Sequence, residues 1–274
     1  YSKNSIVNVD IFLISLELIM DINFAYFNTD IGRKKPENII HKDASCPFCR
    51  PEQLTGIIAA DGDIILLRNK YNVLEGADQY VLIEGKECDT DMPHYTSEHM
   101  HRLIAFGMMH WTRMRRSDKY DTVLFFKNYG HYSGGTMRHP HMQLVGFPQF
   151  QQELTFQHYI FEGLTIAQQD GVTLNISTQP SIGFWELNII PQDASKTDTI
   201  ADYIQIAVDF LMNQFLRRLN SYNIFFYNDG ENVFIKIIPR FATSPMFIGY
   251  NIHLIPSNLI EVRDYIQKLY FAPA

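Results

Sequence analysis

The sequence predicts an α+β fold of two tandem, imperfect repeats, with largely antiparallel sheets and helices packed outside them. Three observations carry this expectation: two segments with a helical apolar period, short strand-like runs on both sides of each, and the same strands-helix-strands order in both halves. In the first half, 57–60 and 64–67 are apolar runs joined by Asp61-Gly62, and 80–84 is a third. Met100, Leu103, Ile104, Gly107, Met108 and Trp111 then recur at helical spacing, with Thr96 or Ser97 ahead of Glu98 as the N-cap. Segments 122–127 and 142–147, separated by a glycine-rich turn at 130–135, complete the unit.

In the second half, 172–177 and 183–190 precede a helix marked by Ile200, Tyr203, Ile204, Ala207, Leu211 and Phe215, with its cap among Thr197 to Thr199. Segments 223–227 and 233–238 follow, joined through Asn228-Asp229-Gly230. Leu259, Val262, Ile266 and Leu269 behind Ser257 predict a closing helix. The join falls at 148–153, so 21–150 is expected to form the first repeat and 151–274 a second, degenerate one. Residues 6–20 are apolar, but Asp10 and Glu17 interrupt them, they are too short to span a bilayer, and they lack the marks of a signal peptide. Segment 1–20 reads as an N-terminal extension, either packed on the fold or foreign to the natural protein, whose start would then be Met20.

A chain of 274 residues with 46% apolar side chains can bury a substantial core, as one large domain or two small ones, and no Pro, Ser or Gly block marks a disordered tail. The net charge of -7 argues against nucleic-acid and anionic-membrane partners, because polyanion binding needs a basic footprint. Local Arg and Lys still suit an anionic small molecule. Three cysteines cannot complete a disulfide framework, and reduced thiols imply a cytoplasmic protein.

Two motifs carry chemistry. Cys46-Pro47-Phe48-Cys49 spaces two thiolates for one tetrahedral zinc; two buried thiols or a redox pair are the alternatives. Cys88 and His139 can supply the third and fourth ligands, a Cys3His set that uses every cysteine in the chain. In His139-Pro140-His141-Met142-Gln143, two imidazoles two residues apart on extended chain point to one face. One can hold a metal while the other meets substrate, an arrangement suited to covalent catalysis at phosphorus.

Taken in order, Cys46-Pro47-Phe48-Cys49, Asn69-Lys70-Tyr71, Phe126-Lys127-Asn128-Tyr129-Gly130 and Gly134-Gly135-Thr136-Met137-Arg138-His139-Pro140-His141-Met142-Gln143 resemble the galactose-1-phosphate uridylyltransferases. These form the transferase branch of the histidine-triad (HIT) superfamily, which also holds nucleotide-sugar and dinucleotide phosphorylases. The resemblance is best over 31–148. The second half resembles the second HIT-like repeat of that branch chiefly through Ser244-Pro245-Met246-Phe247-Ile248-Gly249-Tyr250.

The resemblance implies a HIT-like fold in which His141 attacks an α-phosphorus and forms a nucleotidyl-histidine. Gln143 stands where hydrolytic HIT proteins carry a third histidine. A glutamine amide donates hydrogen bonds without titrating, and its family association is with transfer to phosphate or a sugar phosphate rather than to water. His139 takes the place of a zinc ligand, and four protein ligands make the zinc structural. The family's remaining ligand is a histidine; aligning 83–89 puts Cys88 in its place, with His94 as the competitor. Asn69 and Asn128 match positions near the nucleotide, and Gly134, Gly135 and Thr136 match a loop that approaches the phosphates; each also has a plain turn reading. Arg33, Lys34 and Lys35 lie where the family uses arginine against phosphate, and read here as a solvated face.

The departures are Arg138 and Asn72, both at positions where the family tends to have proline, and a second repeat whose sugar-binding positions are not matched, so the resemblance leaves galactose specificity open. His253 stands alone in that repeat, which predicts one active centre per chain, and His110, His131 and His158 read as structural or surface residues. The expected activity is that of a nucleotidyltransferase or phosphorylase on a nucleotide sugar or dinucleotide, with phosphate or a sugar phosphate as second substrate and a homodimer as the expected assembly. The alternatives are a nucleotide hydrolase and a zinc-stabilised nucleotide-binding protein without turnover.

Overall fold

The computed structural model describes residues 25–41, 43–150, 157–214, 219–230 and 232–272. The expectations for 1–20, for 151–153 at the join and for Phe215 lie outside them. After a single helical turn α1 (Thr29–Gly32), the first half runs β1 (Ile57–Asp61), β2 (Ile64–Arg68), β3 (Asp78–Ile83), α2 (Ser97–Arg115), β4 (Thr122–Tyr129) and β5 (His141–Phe147). The second runs β6 (Gly163–Gln169), β7 (Val172–Ser177), β8 (Leu187–Pro191), α3 (Thr197–Asp209), β9 (Tyr222–Asn228) and β10 (Val233–Pro239), followed by α4 (Pro245–Tyr250) and α5 (Leu259–Tyr270).

The two halves share one ten-stranded sheet in the order β1-β2-β3-β5-β4-β9-β10-β8-β7-β6, and its strand pairs are antiparallel. Each half has the same internal order, and β4 and β9 join them edge to edge. The outermost strands, β1 and β6, both carry an irregularity in register, at 57–59 and at 165–167. Bulges of this kind twist an exposed edge away from further pairing. The α+β class and the antiparallel repeats thus stand as the sequence predicts, in a single sheet.

One strand escapes the sequence pattern. In β6 only Ile166 is fully buried, so too little apolar alternation marks it. Segment 183–190 joins the sheet only from Leu187; Gly183 makes one isolated parallel bridge with Leu254, Phe184 adopts a positive φ of 67°, and the N–H groups of Ser181, Ile182 and Gly183 go to the Glu186 carboxylate. Thr96 caps α2 by accepting from the His99 N–H, as expected. No side chain caps α3 or α5: Thr199 donates to Asp170, and Asn258 accepts from Trp185.

The helical periods decide the core. Met100, Leu103, Ile104, Met108 and Trp111 of α2 and Ile200, Ile204, Ala207 and Leu211 of the second helix are buried against Leu82, Phe125, Met142, Leu144, Ile224 and Ile237 of the sheet. Each fully buried large side chain contributes about 1.5–3 kcal/mol. Trp111 also donates its indole N–H to Val123 O. Gly107 lets α2 lie close to the sheet, since a Cβ there would stand 2.7 Å from the Phe125 ring.

Beneath the β3–β5 end of this layer lies a polar cluster. Lys127 and Glu84 form a fully buried ion pair, Tyr95 donates to Glu84, and Tyr222 donates to Asp91. Burial raises Asp91 to about 6 despite Lys127 nearby. Because the folded value lies above the unfolded one, Asp91 favours the folded state fully at low pH, and this contribution is lost as pH rises through about 6. Asp91→Asn, which cannot ionise, should gain stability relative to the native chain by ~2–3 kcal/mol between pH 4 and 7. Denaturant midpoints measured across that range check the sign and size.

Candidate active site and metal centre

One face of the sheet meets α2 and α3; on the other, alternation places Val81 and Ile83 of β3, His141 and Gln143 of β5, and Asn128 of β4. Register sets their neighbours: Ile83 opposite His141, and Val81 and Phe126 either side of Gln143, with Asn128 one residue past the last β4–β5 pair, Lys127 opposite Met142. The knuckle 46–53, two short 3-10 turns opened by Pro47 and Pro51, rests on this face through Phe48 and Leu54, packed against Leu67, Val81 and Ile83.

The ligand atoms of Cys46, Cys49, Cys88 and His139 all lie within 4.8 Å of one another. Four ligands about 2.0–2.3 Å from one centre stand roughly 3.3–3.8 Å apart in a tetrahedron, so the set can hold a metal ion with small adjustment. His139 Nδ1 is 3.7 Å from Cys46 Sγ and 3.5 Å from Cys49 Sγ, while Nε2 lies 2.9 Å from Gly85 O. A carbonyl only accepts, so the proton sits on Nε2 and the Nδ1 lone pair faces the thiols. Burial raises Cys88 to about 12, reinforced by the neighbouring thiols. Three thiolates this close need a cation to ionise together. His94 is not in the cluster; it borders a separate cavity with Asp91 and Tyr129.

His141 is 7% exposed, and its Nδ1 donates to His139 O at 2.8 Å, which leaves Nε2 as the lone-pair nitrogen. Burial lowers it to about 4. Phe48 stands edge-on to both imidazoles, with ring centroids 5.8 Å from His139 and 5.6 Å from His141. The knuckle therefore touches the metal-binding cluster and the second histidine with one ring.

His141 opens on a cavity of about 60 Å³ bordered by Lys35, Asn69, Gly135, Thr136 and Gln143. Four of the predicted residues, Asn69, Gly135, Thr136 and Gln143, are thus gathered around His141. Asn69 accepts from Tyr71 N, so turn chemistry holds it at the rim. Asn128 lies one strand over, its Oδ1 accepting from Asn223 Nδ2 at 2.6 Å, and does not border this cavity. Of the basic cluster, Arg33 is exposed beside Asp30, whereas Lys35 is half-buried on the cavity wall, because α1 turns the chain back over the sheet; the solvated-face reading fails for Lys35.

Asn38, buried and without any sequence signal, fixes the loop: its N–H donates to Thr136 O and its Oδ1 accepts from Arg138 N at 2.7 Å. Asn38→Ala should cost about 1–2 kcal/mol of stability. If the loop contacts phosphate, it should also lower kcat/KM by roughly tenfold, so unfolding midpoints and steady-state rates measured together test both halves of this expectation.

The corresponding face of the second repeat is sealed. Lys236 pairs with Glu186 at 2.9 Å and donates to Ile160 O, and Asn175, Ser177 and Asn188 bond the carbonyls of Ile160 and Phe161. His110 is buried against Phe106, while His158 is exposed.

The doubled five-stranded unit, with its Cys3His cluster beside a His-x-His-x-Gln strand, is a fold that the chain shares with solved uridylyltransferase and ADP-glucose phosphorylase structures. A uridylyltransferase structure superposes with a TM-score of 0.66 at 14% identity, over 82% of this chain and 91% of that one. An ADP-glucose phosphorylase from Arabidopsis thaliana with bound ADP-glucose superposes with 0.67 at 15% identity, over 83% and 90%. The chain belongs to the DUF4931 family, described as a domain of unknown function: residues 27–150 match its N-terminal domain and 153–271 its C-terminal domain. A DUF4931 family protein from Bacillus cereus is 34% identical, over 79% of this chain and 100% of that one, with a TM-score of 0.70. No curated protein matches the chain in sequence. Among the described residues no helix is long and apolar enough to cross a membrane.

Proposed function

We propose that the protein is a nucleotidyltransferase or phosphorylase that takes a nucleoside monophosphate from a nucleotide sugar or dinucleotide onto His141 and passes it to phosphate or a sugar phosphate. The observation that carries this reading is His141 itself: buried, its Nδ1 tied to a main-chain carbonyl, and its Nε2 left as a nucleophile beside a loop and a cation suited to phosphate. Gly135 and Thr136 offer a backbone N–H and a hydroxyl to phosphoryl oxygens, Lys35 offers charge, and the Gln143 amide orients the phosphoryl group without supplying a proton to water. Asn69 sits at the rim for a ribose hydroxyl, and Asn128 accepts from Asn223, which also donates to Ser133 O ahead of the loop. The fold shared with uridylyltransferase and ADP-glucose phosphorylase supports the same class.

Cys46, Cys49, Cys88 and His139 would hold zinc, since three thiolates and an imidazole are the donor set that metal favours. Zinc would supply positive charge and cross-link the knuckle to β5. Four protein ligands leave it no open position, so it orients His141 through Phe48 and the main chain.

Intact mass after incubation with separate UDP-, ADP- and GDP-sugars and with dinucleotides tests the reading. A nucleoside-monophosphate adduct identifies the base. Tight nucleotide binding with no adduct from any donor would replace it with a binding function.

A further inference from the structure

Arg240, contributed by the second repeat, stands in an unusual position. It follows β10, and its Nη1 donates to Asn223 Oδ1 at 2.8 Å, its one side-chain hydrogen bond among the described residues. No carboxylate pairs with it there; burial alone perturbs it. Asn223, 1% exposed, passes the contact on: its Nδ2 donates to Asn128 Oδ1 and to Ser133 O, and Ser133 Oγ accepts from Gly135 N. Asn223 lies directly opposite Asn128 across the seam between the repeats, and Asn128 and His141 are the residues next to the last β4–β5 pair, Lys127 opposite Met142. Two strand spacings, roughly 10 Å, therefore separate His141 from Asn223. Arg240, Asn128, Ser133 and Asn223 together border a groove of about 830 Å³, and Ser133 is followed in the chain by Gly134 and Gly135, which border the His141 cavity.

We propose that Arg240 binds the phosphate that is not transferred. This rests on the function proposed above, whose stereochemistry calls for such a subsite. The His141 Nε2 lone pair forms an N–P bond as the P–O bond to the leaving phosphate breaks, and that phosphate keeps the electron pair. The acceptor phosphate then forms the new P–O bond while the N–P pair returns to Nε2. Both displacements are in line, so leaving and entering phosphates use one subsite, on the side of phosphorus away from His141. A guanidinium fork held by Asn223 and free of carboxylates suits an oxyanion there. The second repeat, whose own face is plugged, thereby serves the site of the first.

The test uses full-length protein and the Arg240→Gln and Arg240→Lys variants. In Arg240→Gln, the phosphate concentration that half-discharges isolated adduct should rise by ~tenfold or more, while discharge by water stays unchanged; Lys should recover part of the loss. Unchanged phosphate dependence, or equal slowing of phosphate and water discharge, would overturn the proposal. Titration of inorganic phosphate followed by 31P line broadening is independent of turnover. Wild-type chain that binds phosphate but forms no adduct would remove the proposed function and leave the subsite standing, provided Arg240→Gln binds more weakly. Equal phosphate binding by both proteins would remove the subsite.

Discussion

Replacing His141 with alanine is expected to abolish nucleotidyl transfer, by roughly 10⁴-fold or more, because no other group near the cavity can form the N–P bond. Gln143 and Asn69 are not nucleophiles, Lys35 is a cation when free to bind phosphate, and the second imidazole, His139, has its Nδ1 among three thiols and its Nε2 on Gly85 O. The variant should keep its fold and its metal. His141 lies at the start of β5 with its ring against Phe48, so the substitution leaves a small void at the sheet's open face rather than in the main core. Mass spectra should lose the adduct while nucleotide binding persists within about threefold, since uniform binding contacts remain. Transfer at the wild-type rate by His141→Ala would eliminate the mechanism.

Stripping the metal should have the second largest effect. The knuckle is held by Phe48 and Leu54 on three buried side chains, Leu67, Val81 and Ile83, an anchor far smaller than the core between sheet and helices. A metal held there would join it to Cys88 after β3 and to His139 before β5, and its binding energy would be largely local folding energy. One zinc per chain by elemental analysis, a Tm lowered by strong chelator, and loss of hydrogen-exchange protection around 46–53, 85–90 and 135–141 are the expected results. Cys46→Ser should reproduce them, at a cost of several kcal/mol. Adduct formation should fall in parallel, because Phe48 then no longer fixes the His141 ring. A metal-free chain with unaltered Tm would show that the four side chains pack without an ion.

The candidate site was legible to the extent that its chemistry is local. Cys46 and Cys49 lie two residues apart on one turn, and His139 and His141 sit two apart at a strand start, so each pair could be read from spacing. Cys88 could be placed by aligning 83–89 with the segment that carries the remaining ligand in the resembling family, and by the readiness of thiolate to replace imidazole at zinc. Lys35 and Asn38 could not. Their roles depend on α1 bending the N-terminal segment over the 134–138 loop, a long-range contact with no periodicity to announce it. Asn128 was read as a nucleotide contact, and the geometry adds a partner, Asn223, that no pattern within the first repeat could supply. Strand β6 was missed because an edge strand buries so little that its apolar alternation fades.

By itself the sequence determined the helical periods, the strand-rich runs, the repeat, and the two Cys and His motifs, because each arises from neighbours within one turn, strand or loop. Only the tertiary structure decided that both repeats share one sheet, that β4 and β9 meet edge to edge, and that Arg240 and Asn223 of the second repeat lie across a seam from Asn128 and His141. Strand pairing is set by side-chain packing and main-chain hydrogen bonds between residues far apart in the chain, and those contacts exist only once the core of α2, α3 and the sheet has closed.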